Sequence, residues 1–204
     1  MTELGSEYRK RFDSTLVPLA QRIETHLRNV VLQDQKRIDR ISARAKSVDR
    51  FVAKAQKIDG HGSLKYNNPF KQIQDQVGAR VIVFYVSDVD IIAERITQYF
   101  TPAEQQLIIP ESESEFGYVG RHFILLTPKD VLYEGINQSD APKFFELQIK
   151  TLFQHAWSEA NHDLGYKPST QLTSDQKRRI AFTAAQAWGA DQIFEELHQS
   201  LAAA

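Results

Sequence analysis

The chain has 204 residues, 25 of them basic and 26 acidic, and a net charge near −1 excludes a protein that binds polyanions by bulk charge. Hydrophobic residues at 42% and charged residues at 25% describe a globular domain rather than a disordered tail, and no apolar run approaches a membrane helix. Without cysteine there is no disulfide framework, thiolate nucleophile or cysteine-based zinc site.

The length predicts a single domain over residues 1–204. The polar start Met1–Glu7 carries no signal-peptide apolar region, so a cytoplasmic protein without membrane contact is the economical expectation. Apolar residues at spacings of three and four (Tyr8, Phe12, Leu16, Leu19, Ile23, Leu27, Val30) predict a helix over 8–37, which Pro18 kinks or divides. Ser47 is placed to cap a short helix reaching Lys57. The breaker-rich stretch 58–69 reads as a loop.

Arg80–Val86 is nearly all apolar and β-branched or aromatic, the pattern of a central strand covered on both faces. A helix over 88–100, a short edge strand over Gln105–Ile109, a strand over 119–127 and a loop insertion over 129–142 follow. Lys143–Ile149 alternates cleanly, with Phe145, Leu147 and Ile149 on one face and Glu146, Gln148 and Lys150 on the other. Thr151 opens a helix to about Asp163, and Thr173–Gln176 reads as the capping box of a last helix whose apolar side carries Ile180, Ala184, Ala187, Trp188, Phe194, Leu197 and Leu201. Helices around a small mixed sheet make this an α+β fold.

Charge is segregated along the chain. Lys36–Lys57 holds eight Lys or Arg against two acids, whereas Glu104–Glu115 holds four glutamates and no basic residue. Lys46, Arg50 and Lys54, led by Arg44, would form a stripe on a helix spanning roughly 12 Å, a scale that suits a polyphosphate, although a solvated helix face has the same pattern. Asp75 and Arg80 flank the mouth of the central strand with Gly78 between them; Glu146 is the natural second carboxylate for Mg²⁺, and Tyr118 and His122 share a strand face. Phosphate-binding glycine loops, nucleophile elbows and zinc-helix motifs are missing. The pair His162-Asp163 lacks further metal ligands and reads as structural or as a contact to a neighbour.

Taken together, Arg44-x-Lys46, Lys54, Asp75-x-x-Gly78-x-Arg80, Gly117-Tyr118-x-x-x-His122, Glu146-Leu147-Gln148-Ile149-Lys150-Thr151 and His155-Ala156-Trp157…His162-Asp163-Leu164-Gly165-Tyr166-Lys167 resemble the RelA/SpoT-type (p)ppGpp synthetase domain of small alarmone synthetases and their toxin relatives. The likeness covers about residues 40–167, leaving helical flanks over 1–39 and 168–204. It implies a nucleotidyltransferase-like mixed sheet of about five strands wrapped by helices. It also implies transfer of the β,γ-pyrophosphate of ATP to the 3′-hydroxyl of a guanosine nucleotide, GDP or GTP. By motif, Arg44, Lys46, Lys54 and Arg80 would bind ATP, with Arg50 alongside; Asp75 and Glu146 would hold Mg²⁺ and act in catalysis; Tyr118, His122 and Gln148 would bind the acceptor, with Arg121 and Lys150 beside them.

Relatives specific for guanosine nucleotides carry a basic residue ahead of the Gly-Tyr pair, where this chain has Ser114-Glu115-Phe116 behind Glu111 and Glu113. Acids there would repel 5′-phosphates, which keeps tRNA or an adenosine nucleotide open as acceptor, together with a toxin role and a partner antitoxin. A catalytically degenerate nucleotide binder is the non-enzymatic alternative. Retention of both Asp75 and Glu146 speaks against it. By the same likeness, a homo-oligomer is expected.

Overall fold

A computed structural model describes residues 3–32, 37–112, 115–117, 119–133, 135–165 and 172–203. Five strands form one sheet in the order β1-β2-β5-β4-β3, with β2 and β5 parallel and the other pairs antiparallel. They are β1 (Ile38–Ala45), β2 (Val77–Val83), β3 (Pro102–Ile108), β4 (Gly120–Leu126) and β5 (Phe144–Thr151). The helices are α1 (Glu3–Arg11), α2 (Val17–Val31), α3 (Val48–Ala55), the short α4 (Pro69–Gln72), α5 (Val86–Tyr99), α6 (Leu152–Gly165) and α7 (Ser174–Ala202). None is long and apolar enough to cross a membrane.

The side chains of β5 divide as their alternation predicts. Phe145, Leu147 and Ile149 are fully buried in a core with Val81, Val83, Phe123 and Leu125, and α2 and α5 pack on the sheet. Burial of such side chains is the main favourable term in folding. The opposite face of the central strands is polar.

The structure corrects the helix expected over 8–37. α1 and α2 are joined by a wide π-helical turn, Phe12–Leu16, and Pro18 follows in the first turn of α2, where a missing N–H costs nothing. The first strand, β1, begins at Ile38. β1 escapes sequence reading because Ile38 and Ile41 stand three apart, a helical spacing, amid arginines. It is an edge strand, and α2 covers its free edge: Ala43 N–H donates to Glu24 Oε2 (3.1 Å) and Arg28 donates to the Ile41 carbonyl (2.6 Å). The basic stripe is corrected too. Arg44 lies in β1 and Lys46 in the turn after it, so only Arg50 and Lys54 are on α3; Ser47 occupies the cap position without a side-chain cap bond.

β2 begins at Val77, three residues before the expected start, and β3 is longer than expected and almost wholly exposed. α7 opens on the complete Thr173–Gln176 capping box. Its expected apolar face is mostly uncovered, however: Ala184 is buried, but Trp188, Phe194, Leu197 and Leu201 are exposed. Besides ring contacts such as Phe194 on Phe153, two carboxylates dock α7. Glu195 accepts from Ser87 N–H and Oγ at the start of α5, and the buried Asp191 accepts from Thr151 Oγ1 at 2.8 Å.

Burial raises the Asp191 carboxyl to about 6, with Glu195 adding and the Thr151 hydrogen bond opposing. Because the folded value exceeds the unfolded one, its contribution to stability is complete below pH 4 and is lost as pH rises through about 6. We expect Asp191→Asn to melt increasingly above the wild type from pH 4 to 7, by no more than about 3 kcal/mol. Parallel melting curves across that range would contradict the assignment.

Candidate active site

The polar face of the sheet is organised in two rows that run across all five strands. One is Arg44, Gly78, Glu146, Ile124, Glu104; the next is Ser42, Arg80, Gln148, His122, Gln106. A cleft of about 740 Å³ opens over the first three strands, lined by Ser42, Arg44, Lys46, Ser47, Arg50, Asp75, Gly78, Arg80, Glu146, Gln148 and His162 among others. Period-two alternation thus turns one core-building strand pattern into a functional surface on its reverse side.

Asp75 sits in a single 3₁₀ turn ahead of β2, held by Gln76, whose buried amide donates to the Phe70 and Ile73 carbonyls. Its Oδ2 receives both Lys46 Nζ and Lys54 Nζ at 2.9 Å, while its Oδ1 is buried without a partner. Lys46 is fixed at its backbone: its N–H donates to the Gln76 carbonyl (2.8 Å) and its carbonyl accepts from Tyr8 O–H (2.9 Å). Tyr8, fully buried, stacks on Phe51 of α3 at 3.7 Å, so α1 braces the turn that carries the cation.

Glu146 lies opposite Gly78 in the parallel ladder, and a Cβ added at Gly78 would be only in ordinary contact, 4.0 Å from Oε2. Burial raises its carboxyl, but hydrogen bonds from His122 (Nδ1–Oε1 3.2 Å) and Gln148 and the charge of Lys46 outweigh this and hold it below the usual carboxylate range. Glu146 is therefore ionised at neutral pH. Arg44 is drawn below the usual guanidinium range by burial and then by its neighbours Arg80 and Arg50. Three guanidiniums that repel one another over a concave surface favour an anionic ligand. Glu159 of α6 offsets part of this through an ion pair with Arg80 (2.8 Å).

The cleft brings together the expected ATP-contacting and carboxylate residues except Lys54, which joins through Asp75. His122 and Gln148 adjoin them on the same face. Lys150 also lies on this face but is buried, 2% exposed, and donates to Ser158 Oγ (3.2 Å). Burial, and then Arg80, lower its ammonium to about 8. It supports α6 rather than lining the cleft. Arg121 is not brought to the site: adjacent to His122 on β4, it faces the other side of the sheet and pairs with Asp90 of α5. Tyr118 lies outside the described residues.

Sequence reading missed Ser42 and Glu159 and set His162 aside as structural. The spacing of His155, Glu159 and His162, four and then three apart, was the available signal, since it puts all three on one face of a helix. Two carboxylates, one with an orphaned buried oxygen and the other held ionised, fit a hard divalent cation. Among the described residues no group of three or more His, Asp or Glu side chains could hold a metal alone. A cation here would complete its shell with ligand and water oxygens.

Residues 43–171 match the family model described as the region found in RelA and SpoT proteins. The chain is 25% identical over 198 residues to GTP pyrophosphokinase YjbM of Bacillus subtilis (strain 168), covering 92% of this chain and 89% of that one. In fold it is similar to small alarmone synthetase 1 from Bacillus subtilis, with a TM-score of 0.74, 24% identity, and 92% and 95% of the two chains covered. That synthetase has also been solved bound to pppGpp and to AMPCPP. A GTP pyrophosphokinase family protein from Streptococcus pneumoniae gives a TM-score of 0.75 at 21% identity, covering 98% and 96% of the chains.

Proposed function

The chain belongs to the RelA/SpoT family, and from that premise we propose that it is a pyrophosphokinase that transfers the β,γ-pyrophosphate of ATP to the 3′-hydroxyl of GDP or GTP. The observation that carries this reading is the cleft itself, where Asp75 and Glu146 face a ring of Arg44, Lys46, Arg50 and Arg80 on one side of the sheet. The acceptor oxygen bonds to the β-phosphorus as the bond to the α,β-bridging oxygen breaks, and AMP leaves. Ionised Glu146 accepts the hydroxyl proton, with His122 Nδ1 holding its Oε1 in place. The guanidiniums and Lys46 neutralise the phosphates and fix the donor, and phosphoryl transfer is accelerated mainly by such positioning and charge. Mg²⁺, held by Asp75 and Glu146, would add charge neutralisation at the transferred group.

A second acceptor is favoured by one observation. Arg121 shares a cleft with Glu111 and Glu115 but is already paired with Asp90, which reduces the charge it can offer against those two glutamates ahead of the acceptor segment. An acceptor with little 5′ charge, such as the terminal nucleoside of a tRNA 3′ end, would be tolerated better there, consistent with a toxin role.

The test is a transfer assay with γ-labelled ATP and Mg²⁺, offering GDP, GTP, ATP and deacylated tRNA separately. Label on a guanosine nucleotide is expected, and Glu115→Lys should raise its kcat/KM about tenfold, since a nearby charge reversal is worth roughly 1–2 kcal/mol at partly exposed sites. Label on tRNA or on ATP alone would replace the guanosine assignment. Label on none would overturn the transferase reading.

A further inference from the structure

The catalytic cleft reaches Arg80 and Gln148, which pair across β2 and β5. One step further along the same two strands come Ile82 and Lys150, also paired, and here α6 packs on the sheet. Ile82 and Lys150 are 1% and 2% exposed. An apolar side chain suits such a place, because taking an ammonium out of water costs several kcal/mol unless its surroundings offset it. Lys150 donates to Ser158 Oγ (3.2 Å), and Ser158 donates onward to the His155 carbonyl (3.0 Å), which ties the first turns of α6 to β5. Glu159, the residue after Ser158, holds Arg80 at 2.8 Å. A line of contacts thus runs from a sealed charge to a guanidinium that lines the cleft.

We propose that Lys150 is a positioning residue for the donor: its buried positive charge holds α6 so that Glu159 keeps the Arg80 guanidinium over the cleft, and the neutral amine does not. This rests on ATP being the donor. The groups around Lys150 decide how firmly it keeps its proton. Burial and then Arg80 of β2 disfavour the ammonium, lowering it to about 8, while Glu159 of α6 and Glu146 of its own strand favour it. His155 of α6 feels its charge, and Arg40 of β1 shares the row of Ile82 and Lys150. Glu146 stands four residues back along the strand, roughly 13 Å away at 3.3 Å per residue. The ammonium therefore sits near the point of losing its charge. A polyanion bound at Arg80 favours the protonated form, so donor binding takes up a proton and weakens as pH rises through about 8.

The test is calorimetric titration of a non-hydrolysable ATP analogue with Mg²⁺ into the intact chain from pH 6.5 to 9.5. Wild-type affinity is expected to hold to about pH 8 and to fall roughly tenfold by pH 9.5. Lys150→Arg carries a charge that does not titrate in this range and should abolish the fall. Ser158→Ala removes an acceptor of the ammonium and should move the fall to lower pH. Lys150→Met should bind the analogue about tenfold more weakly at pH 7, yet melt no lower than the wild type, because an apolar side chain replaces a buried charge.

A lower melting temperature in Lys150→Met with unchanged affinity would make Lys150 a structural post and overturn the proposal. The same fall with pH in wild type, Lys150→Arg and Ser158→Ala would assign it to another group and overturn the proposal as well. In both cases ATP would stand as the donor. Absence of analogue binding to the folded wild type at pH 7 would instead remove the ATP reading, and this proposal with it.

Discussion

Glu146→Gln is expected to lower pyrophosphate transfer by a factor of about 10³–10⁴, near the upper end of what a general base contributes, with little change in melting temperature. The substitution keeps the shape of the side chain and its place opposite Gly78, and the bond from Gln148 can persist. It removes the charge that His122 and Lys46 are arranged to stabilise. Those partners hold Glu146 ionised below the usual carboxylate range, so wild-type activity should persist into mildly acidic conditions before this group takes up a proton. Stopped assays from pH 4 to 8 on both proteins decide the matter. A loss smaller than tenfold would remove Glu146 from the proton transfer and from the metal site.

The second large effect concerns Asp75, whose one oxygen holds two ammonium groups. An incoming polyphosphate competes for Lys46 and Lys54, and an incoming divalent cation competes with them for Asp75. Metal and donor should therefore bind far better together than singly. We expect Lys54→Met to weaken binding of a non-hydrolysable ATP analogue at least tenfold while strengthening binding of Mn²⁺ alone, followed by its paramagnetic resonance signal. Asp75→Asn should do the opposite to each ligand and lower transfer by about 10³. Stabilised ammoniums that lose their counter-charge bind phosphate more tightly, but a hydrogen-bonding amide is a poor ligand for a hard cation. If Lys54→Met weakened Mn²⁺ as well, the competition would be refuted.

Much of the fold could be read because one strand has a strong period. Lys143–Ile149 alternates without a break, and its two faces became the core and the site. The central strand and the capped last helix were equally plain. β1 was hidden because its stability comes from pairing with β2 and from Glu24 and Arg28 of α2, none of which a local window contains. The same limit applies to the basic residues. A spacing of four placed Lys46, Arg50 and Lys54 on one helix, whereas a strand, a turn and a helix converge to bring the cations together. Arg121 and His122 show the reverse error, neighbours in sequence that the strand sends to opposite faces. The apolar side of α7 was legible as a stripe, but periodicity does not report what covers it, and in the single chain most of it is exposed.

The stack of Tyr8 on Phe51 and its bond to the Lys46 carbonyl have a bearing on where this enzyme can be cut. A fragment trimmed to residues 43–171 would retain every charged group of the donor cleft and still lack the ring that seats α3 and the hydroxyl that steadies the Lys46 turn. The recognisable segment and the working unit are thus different lengths of chain. A substitution at position 8, far from any motif, is expected to act on the proposed donor side by loosening the ground beneath Lys46, so that changes in the first helix would tune the cleft without touching a group that lines it.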